Sequence, residues 1–220
     1  MSRLFTTRAS ASEIAAHFGV EDAPVVPIPS EVVEGDPSVI VLENNGRRRL
    51  STASWGFPRL TREMWLSGET PGRIGLVADL TNPMWEQLVV DPRYRCLIPL
   101  THFANPDGDK GAKTRSWFSL TDTRLIAWAG FCRNTPEFGP VFAGMTMTAS
   151  DAVMPYNDRM PVLLGREEYA RWLHGEVEDV ISIQFRSPIA ADRIAILHTE
   201  DRWRSGSVPD FAAQAQIDLL

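Results

Sequence analysis

The sequence predicts an α+β protein built on a mostly antiparallel, strongly curved sheet with a few flanking helices. Three observations carry that expectation. Short β-branched and aromatic runs recur along the chain, the helical segments are few, and strands and helices do not alternate as a doubly wound parallel sheet requires.

Near the start, Ser10 and Glu13 have capping-box spacing, Ile14, Ala15 and Phe18 fall on one face, and Gly19 closes a short helix. Pro24, Pro27 and Pro29 forbid helix and central strand alike, so an extended crossing follows. Val39 to Leu42 and Arg47 to Trp55 flank Asn45-Gly46, a type I′ hairpin signal. Asn82-Pro83 opens a helix carrying Trp85 and Leu88, which Asp91-Pro92 stops. Arg95 to Leu100 reads as a buried strand. Pro106 to Lys113 is a polar loop, followed by strands around Trp117 and over Ala127 to Phe131 joined at Thr121-Asp122, and another from Val141 to about Thr148. Arg166 to His174 is an amphipathic helix ended at Gly175, and Ile181 to Phe185 and Ile194 to Leu197 read as late strands. With no internal repeat and no low-complexity linker, residues 1–220 are expected to form a single domain.

Composition narrows function by exclusion. A net charge of −6 argues against a protein that coats nucleic acid non-specifically, although a local basic groove remains open. Two cysteines, Cys96 and Cys132, and four scattered histidines show no metal-ligand spacing, so no metal site is expected. No phosphate loop, dinucleotide fingerprint, nucleophile elbow or zinc-protease motif is present, so no cofactor is expected. No apolar run approaches membrane-spanning length and the start lacks a signal peptide's apolar stretch, which makes the cytoplasm the expected location. His17, His174 and His198 read as surface or packing residues, and both cysteines as buried thiols.

One set of segments is more specific. Arg95-Cys96-Leu97-Ile98-Pro99 followed by Phe103, then Ala127-Trp128-Ala129-Gly130-Phe131, Thr148-Ala149 and Asn157-Asp158-Arg159-Met160-Pro161-Val162 occur in that order, with Trp55-Gly56 and the Pro29 region before them. Together they resemble the SOS-response-associated peptidase (SRAP) family, from residue 1 to about Leu173, in a divergent bacterial or phage-related form. The resemblance implies a half-barrel-like sheet and a role in the DNA damage response as a sensor of abasic sites in single-stranded DNA. It implies a cysteine at position two whose freed α-amine and thiol condense with the sugar aldehyde to a thiazolidine. An α-amine with a pKa near ~8 keeps a neutral fraction that forms imines. An asparagine, a glutamate and a histidine would orient the sugar and move protons.

Carried over residue by residue, every one of those positions is substituted. The nucleophile position holds Ser2, the glutamate position Asn105, the histidine position Asn157, and the asparagine falls near Leu76. Serine closes a ring less readily than a thiolate, and asparagine does not titrate near neutrality, so durable cross-linking is expected to be lost. The Ser2 α-amine would still support a transient Schiff base and a weak lyase. For binding, Arg159 is the phosphate candidate, against a structural pairing with Asp158; Trp55 and Phe57 are stacking candidates, against a tryptophan in the core of the curved sheet; and His102 is a candidate substitute base, against a structural histidine. The third alternative is a protein-interaction module for which DNA is irrelevant.

Overall fold

The computed structural model describes residues 3–21 and 26–211. Ser2 and the Pro24 part of the early extended crossing lie outside them. The larger sheet contains strands β3 (Pro37–Asn44), β4 (Arg47–Trp55), β7 (Leu76–Val77), β8 (Arg95–Leu100), β11 (Ile126–Thr135), β12 (Gly139–Thr148), β13 (Arg159–Pro161) and β14 (Leu163–Leu164). Its main path runs β13-β12-β4-β3-β8-β11-β14, and an additional β11–β12 pairing closes five of these strands into a ring. The curvature expected from the sequence therefore runs to closure. Most pairs are antiparallel, whereas β12 lies parallel to β4 and to β7. The smaller sheet has the order β15 (Ile194–Arg202), β10 (Thr114–Leu120), β9 (His102–Asp107), β1 (Leu4–Thr6), β2 (Val32–Val33). A third, two-stranded ribbon pairs β5 (Phe57–Arg59) with β6 (Gly72–Ile74).

The ring is filled by aromatic rings. Trp128 meets Trp55 edge to face at 5.6 Å and donates its indole N–H to the Met145 carbonyl at 2.7 Å, so a buried donor is satisfied. Gly144 on β12 is required by this packing, since a Cβ there would stand 1.9 Å from Trp128 Cζ2.

Among the described residues, five α-helices flank the sheets: α1 (Ala11–Phe18), α2 (Arg62–Ser67), α3 (Glu86–Val90), α4 (Tyr169–His174) and α5 (Val177–Phe185). The Ser10–Glu13 capping box forms, and Gly19 caps α1 in the left-handed region at φ 66°. Asn45 and Gly46 also take positive φ, 52° and 74°, as a type I′ hairpin demands. Arg95, 2 % exposed in β8, ties α3 and α4 to the ring by donating to the carbonyls of Val89, Trp172 and Gly175.

One sequence expectation about the elements is corrected. Ile181 to Phe185 is not a strand but the end of α5. Its period-two pattern competes with Val177, Val180 and Ile183 at helical spacing, and the Asp179 carboxylate caps the helix by accepting the Glu176 N–H at 3.0 Å. Ile181 and Phe185, two of the three residues on the apparent strand face, are exposed. The strands holding Trp117 and Ala127 are consecutive and joined through Thr121-Asp122, and β10 and β11 lie in different sheets.

Candidate functional site

Strand alternation on β9 sends Phe103, Asn105 and Asp107 to one face and His102 and Ala104 to the other. The registers Phe5–Phe103 and Phe103–Phe118 place the first set on the side of the main core. On that face Asn105 pairs with Ser116 of β10, and Ser116 with His198 of β15. The β1 register, continued by one residue from Leu4–Ala104, puts Arg3 opposite Asn105. A single row across four strands thus carries Arg3, Asn105, Ser116 and His198.

The opposing wall comes from the turn between β12 and β13. That turn is closed by Ala149 N–H donating to the Asp158 carbonyl and Asn157 N–H to the Val153 carbonyl. It brings Asn157 over the sheet, where Asn157 Nδ2 donates to Asn105 Oδ1 at 3.3 Å and Asn157 Oδ1 accepts the Arg159 N–H at 3.2 Å. Residues 52 apart in sequence therefore meet. Arg159 sends Nε to Thr146 Oγ1 at 3.0 Å and Nη2 to the carbonyls of Thr146 and Ala78 at 2.6 and 3.1 Å. Among the described residues it makes no ion pair, so its guanidinium is held by oxygen acceptors and not by the Asp158 carboxylate.

Ala78 also lines a cavity of about 250 Å³ beside the site. Arg3, Arg59 and Arg73 converge there, opposed by Glu34 and Asp79. Glu34 pairs with Arg3 at 3.2 Å and accepts the Gly75 N–H at 2.6 Å. These three arginines are not adjacent in sequence and carry no motif, which is why sequence reasoning missed them. A larger cavity of about 640 Å³, near His17 and Arg166, contains none of the sequence-predicted site residues.

The family model for SOS response associated peptidase (SRAP) matches residues 1–200. The chain belongs to the SRAP family. Solved structures agree on the fold. A Bordetella bronchiseptica protein superposes with a TM-score of 0.74 at 18 % identity, covering 90 % of this chain and 99 % of its own. A phage-related protein from the same organism gives 0.72 at 16 % identity, covering 94 % and 100 %. A Bacteroides thetaiotaomicron protein gives 0.70 at 16 % identity, covering 89 % and 90 %. No curated protein matches the chain.

Within this SRAP fold the sequence-predicted residues separate. Asn105, Asn157 and Arg159 come together, with Asn105 fully buried. Ser2 lies outside the described residues. Trp55 and Phe57 require a correction, because both are 1 % exposed and offer no ring face to a base. Trp55 packs on Phe5, Trp128 and Phe142 and donates its N–H to the Gly75 carbonyl at 2.7 Å, while Phe57 meets Trp85 edge to face. Leu76 is buried in β7 against β12. His102 faces away from Asn105 and stacks on Phe211 at 3.5 Å, and burial, with help from Arg8 and Arg124, lowers its pKa to about 4. It is not a base for this site. Among the described residues no cluster of three His, Cys, Asp or Glu side chains suits a metal ion, and no helix is long and apolar enough to cross a membrane.

Proposed function

We propose that this SRAP-family protein recognises single-stranded DNA at abasic sites in the response to DNA damage, without durable covalent capture. The carrying observation is the Asn157–Asn105 hydrogen bond beside the carbonyl-bound Arg159 guanidinium. The part-buried Asn157 amide, backed by the buried Asn105, suits a sugar hydroxyl or aldehyde oxygen, and a guanidinium lacking a carboxylate partner suits a phosphate. The two groups that would carry protons in the family pattern are amides here, so the cleft is built to hold and not to seal.

Arg3, Arg59 and Arg73 extend the cationic track, which a single strand needs along its backbone. With Trp55 and Phe57 buried, the stacking role passes to Trp65, 69 % exposed on α2, the helix that joins the strand of Arg59 to that of Arg73. A second reading, a weak lyase working through the Ser2 α-amine, is favoured by the β1 register, which puts Arg3, the residue after Ser2 in sequence, opposite Asn105.

The test is a single-stranded oligonucleotide carrying one abasic site, incubated with the protein with and without borohydride. Salt-sensitive binding with no heat-stable adduct in the absence of borohydride is expected. A heat-stable adduct without borohydride overturns the reading, as does an absence of binding at low salt. A borohydride-dependent adduct that disappears when the N-terminus is blocked selects the lyase.

A further inference from the structure

His198 does not pack as a structural histidine does. Its side chain is 60 % exposed at the edge of the smaller sheet, yet both ring nitrogens are engaged. Nδ1 lies 3.1 Å from Ser116 Oγ and 3.3 Å from Asp107 Oδ2, and Nε2 lies 3.5 Å from the Tyr156 hydroxyl. Ser116 donates its one proton to Asp107 Oδ2 at 2.9 Å, so toward the imidazole its oxygen can only accept. An ionised carboxylate also only accepts. Nδ1 therefore carries the ring proton, and the Nε2 lone pair meets only the Tyr156 hydroxyl, at the long distance of 3.5 Å.

Asp107 is suited to that orienting role. Desolvation pushes its carboxyl up, but hydrogen bonds from Ser116 Oγ, the Gly108 N–H and His198 outweigh it and hold the group below the usual carboxylate value. Ser116 itself is not a nucleophile, because it is fully buried, its proton points at the carboxylate, and it faces the protonated ring nitrogen. The arrangement is an Asp–His dyad with Nε2 as its working atom. It stands in the Asn105–Ser116–His198 row, and Tyr156 immediately precedes Asn157, so the dyad borders the cleft already described.

We propose that His198, positioned by Asp107 and Ser116, is the general base of this cleft, and that it acts on the ring-opened sugar of an abasic site in single-stranded DNA. This rests on the DNA reading above. Nε2 removes the C2′ proton, and the C–H electron pair forms the C1′–C2′ π bond as the aldehyde becomes an enolate. The enolate re-forms the carbonyl, the pair moves between C2′ and C3′, and the C3′–O bond breaks with the phosphate leaving on its own electrons. One strand ends in an unsaturated aldehyde, the other in a 5′-phosphate, and the imidazolium returns its proton to water. No amine, metal or second reagent is consumed.

Single-turnover scission of an end-labelled abasic oligonucleotide tests this, with Kd measured separately on a tetrahydrofuran analogue that cannot eliminate. In His198→Ala the scission rate is expected to fall about 100-fold or more while Kd for the analogue is retained, and added imidazole restores part of the rate. Asp107→Asn is expected to slow scission about tenfold at unchanged Kd, without imidazole rescue, as befits a positioning residue. Equal rates for wild type and His198→Ala overturn the proposal. So does a His198→Ala protein that binds the analogue poorly and gains nothing from imidazole, which would make His198 a binding group. Wild-type protein that binds the analogue but leaves the abasic strand intact overturns the dyad's role and spares the DNA reading. Failure to bind the analogue at low salt overturns both.

Discussion

Acid should weaken this protein through His102, and the size of the effect follows from where the ring sits. Packed against Phe211 and facing the cations Arg8 and Arg124, its pKa falls from 6.5 to about 4. The unfolded chain takes up a proton as pH drops through 6.5, whereas the folded chain does not until about 4. Unfolding therefore binds a proton in this window, and the stability present above pH 6.5 is lost as pH falls toward 4. At ~1.4 kcal/mol per pH unit the full interval corresponds to about 3 kcal/mol, with a slope near one proton between pH 6 and 5. His17, lowered to about 4 by burial and by Arg166, adds a smaller share in the same direction because its ring is more open to solvent. Urea denaturation at pH 7.5, 6 and 5 measures the slope in wild type and in His102→Gln. The glutamine variant should lose most of the dependence. An identical pH slope in the two proteins would refute the reasoning.

Arg95→Met should leave two buried carbonyls and one part-buried carbonyl without this donor and lower stability by about 3 kcal/mol, seen as a drop in Tm of about 10 °C. Arg95→Lys should recover little of it, since one ammonium cannot span the same acceptors. Trp65→Ala should weaken binding to single-stranded DNA by ~1–3 kcal/mol without changing Tm, checked by fluorescence titration and thermal melts. Arg73→Ala should reduce the slope of log K against log salt by about 0.7 if its guanidinium meets one phosphate, and an unchanged slope removes Arg73 from the track.

The elements legible in the sequence are those whose signals are local. Ser10 to Glu13 and Asn45-Gly46 each commit the backbone through a few adjacent residues, and the structure contains both as expected. The α5 segment was misread because Ile181, Ile183 and Phe185 alternate perfectly, and only the cap at Glu176 and Asp179 upstream decides the period. Site residues divide the same way. Asn105, Asn157 and Arg159 stand in or beside contiguous strings that resemble the SRAP pattern, and such a string is legible from the sequence alone. Arg3, Arg59, Arg73, Asp107 and His198 are assembled by strand register and by the β5–β6 ribbon, and no spacing along the chain encodes a cross-strand row. Trp55 and Phe57 failed as binding candidates for a related reason. Closure of the ring turned an apolar strand end inward, and whether a tryptophan faces bases or core depends on pairings far away in sequence.

The amide pair itself supports a sharper test than its removal. Asn105 is fully buried, so Asn105→Glu alone places a carboxylate where water does not reach, with an amide as its neighbour. That change should destabilise by roughly 3 kcal/mol. It should also hurt more at pH 7 than at pH 4.5, because a buried carboxyl with a raised pKa contributes stability only while it stays protonated. Asn157→His alone should cost about 1 kcal/mol, as an ordinary polar exchange near the surface does. If the two positions form one proton-transfer unit, the double variant should be less destabilised than the sum by ~1–3 kcal/mol, because the imidazolium pairs the carboxylate. Adding Ser2→Cys should then yield an abasic-DNA adduct that survives heating without borohydride, since the thiol closes the imine to a ring. Strictly additive stabilities would mean that the two side chains share a hydrogen bond but no functional geometry, and the reading that amides here replace a proton-carrying pair would fall with them.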